Sequence, residues 1–188
     1  MPDLQSPEER LDLEFDQKGN FQHARLFSKD GEELTLRPSQ PEDRDGLEKM
    51  FRSCSSETLY TRFLSPGLGV PLRYLDRLLI NNPPRTMSMV AVKDEDEECS
   101  IVGLMNMVME KNSPHGELAI VVVDDYQNRG LGSAMLRCLY KIAKNFGLNK
   151  FIADVDATNR RVFHLIKRSG LPFETDIHQG VARVEVTM

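Results

Sequence analysis

Hydrophobic residues alternate with polar ones along some segments of this chain and recur every three or four positions along others, which predicts both strands and helices. The pattern predicts strands at residues 21–27, 33–37, 87–93, 100–110, 117–123, 150–155 and 181–187. It predicts helices at residues 57–63, 71–81, 131–146 and 160–169, and one that runs from a capping box of Ser39 and Glu42 to about Ser53. The first two strands form a hairpin, and so do the next two.

The predicted helix at residues 131–146 has one apolar face, formed by Leu131, Met135, Leu139, Ile142, Ala143 and Phe146. Such a face is typical of a helix that packs against a sheet. Gly147 follows it directly, where a glycine commonly ends a helix.

Residues 1–19 are polar and rich in acidic side chains, with a short predicted helix at residues 7–15. We expect a mobile or loosely docked N-terminal arm there. Residues 20–188 are long enough to bury a core of their own, so we predict a single domain over that range.

Charge and cysteine usage narrow the class of protein. The formal net charge is −5 at pH 7 and no basic stripe offsets it, which argues against a nucleic-acid partner. No apolar run is long enough to span a bilayer, and the N-terminus lacks the pattern of a secretory signal. The three cysteines, Cys54, Cys99 and Cys138, lie far apart in the sequence, and their spacing to the histidines is not that of a metal site. We therefore expect a cytoplasmic protein without disulfides or metal.

A glycine-rich turn, Gln127-x-x-Gly130-x-Gly132, lies between a predicted strand and the helix at 131–146. The first backbone N–H groups of a helix have no intrahelical partner, and glycines allow a phosphate to approach them. No lysine follows Gly132, which excludes a P-loop, and Met135 stands where a dinucleotide fingerprint needs a small residue. A plain tight turn remains the alternative interpretation.

This turn resembles the acetyl-CoA-binding signature of the GNAT N-acetyltransferases. The resemblance covers about residues 34–188: residues 116–126 are similar to the fourth strand of that family, and Asn159 opens a helix that Gly170 closes, as in the family. Residues 57–63 resemble the subgroup that contains bacterial protein lysine acetyltransferases. The implied fold is α+β, with a mixed, mostly antiparallel sheet flanked by helices and with splayed, parallel fourth and fifth strands.

The resemblance also implies where the coenzyme binds. Its pantetheine arm pairs with the backbone near Ile120, Val121, Val122 and Val123, and its diphosphate lies at Gln127, Asn128, Arg129, Gly130, Leu131, Gly132 and Ser133. Asn159 either contacts the coenzyme arm or caps its own helix. The Arg129 side chain either pairs with a phosphate or is solvated.

Glu117 stands where that subgroup carries its catalytic glutamate, and a base is useful because the ordinary pKa of a lysine amine is about 10.4. The alternatives are a solvated glutamate, or His115 as the base or as part of a water relay. The tyrosine that many family members use to protonate the departing thiolate is replaced by Ile166. Tyr60, Ser133 and His164 are candidate substitutes.

The sequence therefore predicts acetyl transfer from acetyl-CoA to a primary amine, with a protein lysine as the first candidate acceptor. A small metabolite amine or a protein N-terminus is the next candidate acceptor. The competing class is a domain that binds acyl-CoA as a sensor without turnover, which the replacement by Ile166 favours. The oligomeric state stays open, with a dimer among the options.

Overall fold

The computed structural model describes residues 11–65, 70–95, 98–109 and 115–188. Within them, one sheet has the strand order β1-β2-β3-β4-β5-β6-β7-β9-β8. The strands are β1 (Asp12–Phe15), β2 (Phe21–Phe27), β3 (Glu33–Pro38), β4 (Thr86–Glu95), β5 (Glu98–Met109), β6 (His115–Val122), β7 (Lys150–Asp156), β8 (Phe173–His178) and β9 (Val181–Thr187). The helices are α1 (Arg44–Ser53), α2 (Ser56–Phe63), α3 (Leu72–Leu78), α4 (Leu131–Asn145) and α5 (Arg160–Arg168).

The predicted α+β fold with a mixed, mostly antiparallel sheet is confirmed. Neighbouring strands pair antiparallel except β6 and β7, which are parallel and are connected through α4. The predicted elements at residues 21–187 are all present with small shifts at their ends, and β9 has the predicted bounds. The helix predicted at 71–81 is shorter, because it ends at Leu78.

The N-terminal helix prediction is wrong for the residues that the structure describes. Asp12–Phe15 forms strand β1, which pairs with β2 through Leu13 opposite Ala24, and Leu13 packs against the buried core. An available strand edge outweighs a weak helical pattern, because β1 can pair its backbone groups with β2. Residues 7–10 lie outside the described residues, and the boundary between arm and domain stays a prediction.

The predicted capping box is also wrong. Gln40, not Ser39, precedes a short 3₁₀ turn at Pro41–Asp43, and its backbone N–H donates to Asp43 Oδ2 at 2.7 Å. Asp43 is held in place by Arg37, whose guanidinium donates to it at 2.7 Å. Ser39 instead donates its hydroxyl to the carbonyl of Leu78 and ties the end of α3 to the sheet.

Strand β8 is absent from the predictions. Its burial pattern is one partly buried residue followed by five exposed ones, so hydrophobic alternation gives no signal there. β8 forms because it pairs with β9, from Phe173 opposite Val186 to His178 opposite Val181.

The core lies on both faces of the sheet. On one face α4 buries Met135, Leu139 and Ile142, and a Cβ at Gly103 of β5 would lie 3.2 Å from Met135 Sδ. On the other face α1 packs against β5, where Ile101 Cδ1 would lie 3.0 Å from a Cβ at Gly46. Among the described residues, every helix is too short or too polar to span a bilayer.

The parallel pair β6 and β7 parts after three residue pairs. His115, Gly116 and Glu117 pair with Lys150, Phe151 and Ile152, and no pair is formed beyond them although β6 continues to Val122 and β7 to Asp156. Backbone groups of β6 after Glu117 therefore face an opening rather than a neighbouring strand on this side. β6 and β7 correspond to the fourth and fifth strands of the family fold, and their predicted splay is confirmed.

Candidate active site

A cavity of about 680 Å³ occupies the opening between β6 and β7. Its walls also come from α2, from the turn before α4 and from α5. Predicted cofactor residues that line it are Ile120, Val121, Val122, Gln127, Asn128, Gly130, Gly132, Ser133 and Asn159. Val123, Arg129, Leu131 and Glu117 are not part of this lining. The structure thus gathers most of the predicted residues around one cavity.

The glycine turn places the N-terminus of α4 beside this cavity. Gly130 is the N-cap of α4 and has φ +89°, a conformation that favours glycine, and a Cβ there would lie 3.3 Å from Lys29 Cγ. Gly132 leaves more room, since the nearest described atom would be Leu165 Cδ2 at 4.0 Å. The first amides of α4, including that of buried Leu131, have no intrahelical acceptor and are suited to an anion.

Gln127 connects three walls of the cavity. Its side-chain amide donates to Thr58 Oγ1 of α2 at 2.9 Å and to the Val122 carbonyl of β6 at 3.0 Å. Its side-chain oxygen, Oε1, accepts a hydrogen bond from Arg161 Nη1 of α5 at 2.5 Å. This link spans the cavity from α2 to α5.

Asp124 anchors the beginning of α2 beside the same turn. It accepts hydrogen bonds from the Ser55 backbone at 2.8 Å, the Ser55 hydroxyl at 2.7 Å and Thr58 Oγ1 at 2.9 Å. Burial alone raises the pKa of Asp124, but these hydrogen bonds outweigh it and lower the pKa. A charged carboxylate therefore holds α2 against the coenzyme turn.

The Arg129 side chain is held by two carboxylates. Its guanidinium contacts Asp30 and Glu32, each at 2.5 Å, and lies 4.5 Å from the Tyr126 ring centroid. These hydrogen bonds lower the pKa of Asp30 to about 2. The guanidinium is therefore neither simply solvated nor turned to a phosphate, and it fixes the turn against the β2–β3 hairpin.

Asn159 caps α5, because its Oδ1 accepts from the Val162 backbone N–H at 3.2 Å. The residue also lines the cavity. Capping is thus observed, and a bond from Asn159 to the coenzyme stays a prediction.

Glu117 is exposed and lies on β6 at the last residue pair before the strands part. It is opposite Val108 of β5 and Ile152 of β7. His115 lies two residues earlier on the same strand, where the parallel pairing begins. Glu117 thus lies at the start of the opening, a position that suits a base for an acceptor amine bound beside the coenzyme.

Arg62 of α2 is a residue that the sequence analysis did not single out. Its Nη2 donates to Asn106 Oδ1 of β5 at 2.9 Å and to the Tyr74 hydroxyl of α3. The guanidinium carbon lies 5.0 Å from the Phe63 ring centroid and 5.4 Å from that of Tyr74. Burial lowers the pKa of Arg62, whereas the nearby Tyr74 and Glu117 oppose that effect.

The position of the usual proton donor carries no polar group. Ile166 is buried in α5 with 5% of its surface exposed. Tyr60, Ser133 and His164 all line the cavity. Cys138 is fully buried in α4, and burial raises the pKa of its thiol to about 12, so it is a poor nucleophile.

No group of three or more His, Cys, Asp and Glu side chains suited to a metal ion occurs in the part of the chain that the structure describes.

The splayed sheet and the glycine turn at its opening define the class of the protein as an N-acyltransferase domain, and the comparisons agree. The family model described as an acetyltransferase (GNAT) domain matches residues 33–172. The chain belongs to the GNAT acetyltransferase family. Its activity is transfer of an acetyl group from acetyl-CoA to an amine.

Two relatives and one solved structure illustrate the similarity. An acetyltransferase of Pseudomonas aeruginosa is 28% identical over 147 residues, 78% of this chain and 79% of that protein. Acetyltransferase Pat of Mycolicibacterium smegmatis is 32% identical over 157 residues, 83% of this chain but 46% of that longer protein. The GNAT domain of S. lividans PAT has a TM-score of 0.79 at 21% identity, with 88% of this chain and 97% of that domain covered.

Proposed function

We propose that this chain acetylates lysine side chains of proteins in the cytoplasm, with acetyl-CoA bound in the cavity between β6 and β7. The resemblance of residues 57–63 to the subgroup with bacterial protein lysine acetyltransferases supports a protein acceptor, and the similarity to acetyltransferase Pat supports acetyl transfer. A small amine acceptor is the alternative within the same chemistry.

In this proposal the diphosphate of the coenzyme lies at the first turn of α4. The backbone amides from Leu131 to Ser133 donate to it, and the Ser133 hydroxyl adds a further donor. Gln127, Asn128 and Gly130 shape the turn that presents these amides. Arg129 contributes through its backbone, because its guanidinium is already paired.

The pantetheine arm pairs with the backbone of β6 from Ile120 to Val123. The observation that carries the proposal is the loss of strand pairing after Glu117, which leaves backbone groups of β6 available beside a cavity of about 680 Å³. The acetyl end of the coenzyme then lies near Glu117. Glu117 removes a proton from the acceptor ammonium, and the amine nitrogen attacks the thioester carbonyl.

Replacing Gly132 by leucine tests the coenzyme site. A Cβ at this position has room in the free protein, and leucine favours a helix. We expect the rest of the leucine side chain to fill the space in front of the α4 amides. We expect isothermal titration calorimetry to give a dissociation constant for coenzyme A at least about tenfold above that of the wild type, a loss of about 1.4 kcal/mol. Lys141→Leu, an exposed substitution further along α4, serves as the control and is expected to bind like the wild type.

The acceptor is identified by a separate experiment. The protein is incubated with labelled acetyl-CoA and either a deacetylated cell lysate or a panel of small amines, and label is measured in protein lysines and in the amines. Label in lysines that depends on the wild-type protein supports the proposal, whereas label in small amines alone contradicts it.

A coenzyme sensor without turnover is the second candidate function, and the buried Ile166 at the usual tyrosine position favours it. Coenzyme binding without thiol release over the complete acceptor panel would support this candidate instead.

A further inference from the structure

Arg62 has an unusual environment for an arginine. Its Nε is inaccessible to solvent, and no described group accepts a hydrogen bond from it. Its guanidinium donates to the side-chain Oδ1 of Asn106 and to the Tyr74 hydroxyl, both neutral groups. The charge of Glu117 acts on Arg62 from nearby, but no carboxylate among the described residues is hydrogen-bonded to it. A partly buried guanidinium held only by neutral partners keeps its positive charge available to a ligand in the cavity.

Arg62 is also close to the place where the strands part. It lines the cavity and bonds to Asn106, which is opposite Ala119 of β6. Side chains alternate along a strand, so Ala119 and Glu117 are on the same face of the sheet. The Arg62 guanidinium therefore lies over β6 just past Glu117, beside the predicted position of the thioester.

The reaction needs a group that stabilises the departing sulfur. When the amine nitrogen bonds to the carbonyl carbon and the tetrahedral intermediate collapses, the C–S bond breaks and its electron pair stays on sulfur. Ile166 offers no proton there, and burial raises the pKa of the Tyr74 phenol, which makes it a poorer acid.

Resting on the proposed function, we propose that Arg62 is a catalytic residue that stabilises the coenzyme A thiolate by its positive charge and a hydrogen bond. Glu117 takes one proton of the acceptor ammonium before the attack, and the second proton leaves the nitrogen to solvent as the tetrahedral intermediate collapses. The sulfur leaves as an anion that solvent protonates after release. Asn106 and Tyr74 hold the guanidinium in place through hydrogen bonds that these neutral groups accept. Charge stabilisation of this kind takes the role of the tyrosine that Ile166 replaces.

The test measures the thiol pKa of bound coenzyme A. Thiolate absorbs in the ultraviolet, and a pH titration of saturated protein, with coenzyme-free protein as the blank, gives the fraction ionised. Two of the three protein thiols interfere little, because burial raises the pKa of Cys54 to about 11 and that of Cys138 to about 12, and the coenzyme-free blank corrects for the third, Cys99. We expect the thiol pKa of bound coenzyme A to lie at least about one unit below that of free coenzyme A, a tenfold shift toward thiolate.

Variants assign the shift to Arg62. Arg62→Gln is expected to raise the thiol pKa of the bound coenzyme to that of the free coenzyme, whereas Arg62→Lys, which keeps the charge, retains part of the shift. Arg44→Gln is the matched control, because Arg44 pairs with Asp76 outside the cavity, and it should titrate like the wild type. Circular dichroism and coenzyme affinity show whether each variant is folded.

The outcomes separate this inference from the proposed function. If coenzyme A does not bind the wild type, the proposed function itself fails. If it binds with the thiol pKa of free coenzyme A, the role of Arg62 is refuted while the coenzyme site stands, and this result needs no variant. A shift that survives in folded Arg62→Gln also refutes the role of Arg62.

Discussion

At the scale of single residues, the site separates the group that accepts a proton from the group that carries positive charge. Glu117 is exposed on β6, whereas Arg62 is largely enclosed by Asn106, Phe63 and Tyr74. An exposed carboxylate can exchange its proton with solvent after each turnover, and an enclosed guanidinium keeps its charge in one position. The two side chains therefore suit different tasks, proton removal at Glu117 and charge stabilisation at Arg62.

Replacing Glu117 by glutamine tests the proton acceptor. We expect kcat to fall about 100-fold near neutral pH, because a positioned base contributes on this order, and to recover partly at high pH as the acceptor amine loses its proton to solvent. The affinity for coenzyme A should stay the same. Glu174→Gln, on the exposed strand β8, is the control. An unchanged rate in Glu117→Gln removes this residue from the base role.

The Arg129 ion pair predicts a dependence of stability on pH. Its hydrogen bond lowers the pKa of Asp30 to about 2 in the folded protein, below the value of about 3.9 expected in the unfolded chain. Asp30 therefore stabilises the fold above its unfolded pKa, and this contribution is lost as the pH falls from about 4 towards the folded pKa of about 2.

Urea unfolding of wild type and Asp30→Asn from pH 7 down to pH 3 measures this contribution. The difference in their free energies of unfolding should be present at pH 7 and shrink below pH 4. Because the pair is exposed, we expect a small difference. Asp176→Asn on β8 is the control. A difference that grows towards low pH is incompatible with a lowered pKa of Asp30 in the folded protein.

At the scale of elements, the coenzyme turn is fixed from several sides. Gln127 bonds to α2, β6 and α5, Asp124 anchors α2, and Arg129 ties the turn to the β2–β3 hairpin. A turn held in this way presents the α4 amides to a ligand without first having to order itself. We infer that the two glycines are required for different reasons. Gly130 permits the backbone conformation of the turn, and Gly132 leaves space for the ligand.

Gly130→Ala tests this division. The alanine has to adopt φ near +89° with its Cβ close to Lys29, and this conformation costs about 1–2 kcal/mol for a residue with a side chain. We expect the free energy of unfolding to drop by about that amount, measured by urea denaturation. Gly132→Leu, by contrast, should weaken coenzyme binding with little loss of stability. Equal losses of stability in both variants would refute the division of roles.

At the scale of the whole molecule, the sheet continues beyond the predicted domain at its N-terminal edge. β1 covers the edge of β2, and Leu13 packs on the core that contains Ala24 and Leu26. The coenzyme cavity lies between β6 and β7, several strands away in the order of the sheet. We therefore expect the pairing of β1 to contribute to stability and not to coenzyme binding, which takes place inside the sheet.

Removal of residues 1–19 tests this separation and the predicted domain boundary. We expect the free energy of unfolding to fall by about 1–3 kcal/mol, since Leu13 no longer packs on the core and the edge of β2 is uncovered. The dissociation constant of coenzyme A should change less than twofold. A truncated chain that binds coenzyme A much more weakly shows that the arm contributes to the site.

Local patterns in the sequence predicted the order of the elements and the glycine turn, and the resemblance to the GNAT family implied the opening beside β6. The cluster around Arg62 escaped prediction because Tyr74 and Asn106 lie 12 and 44 residues away along the chain, and their proximity depends on how α2 and α3 pack on β5. β8 escaped because its exposed residues show no alternation. The pairing of Arg129 with Asp30 likewise joins residues 99 positions apart, which no local pattern reveals.

A crystal structure of the protein with coenzyme A tests the coenzyme site most directly. We expect the pantetheine arm along the backbone of β6 from Ile120 to Val123 and the diphosphate within hydrogen-bond distance of the amides from Leu131 to Ser133. The sulfur should lie beside Arg62 and Glu117. Coenzyme bound elsewhere, with the opening between β6 and β7 empty, would contradict the proposed coenzyme site.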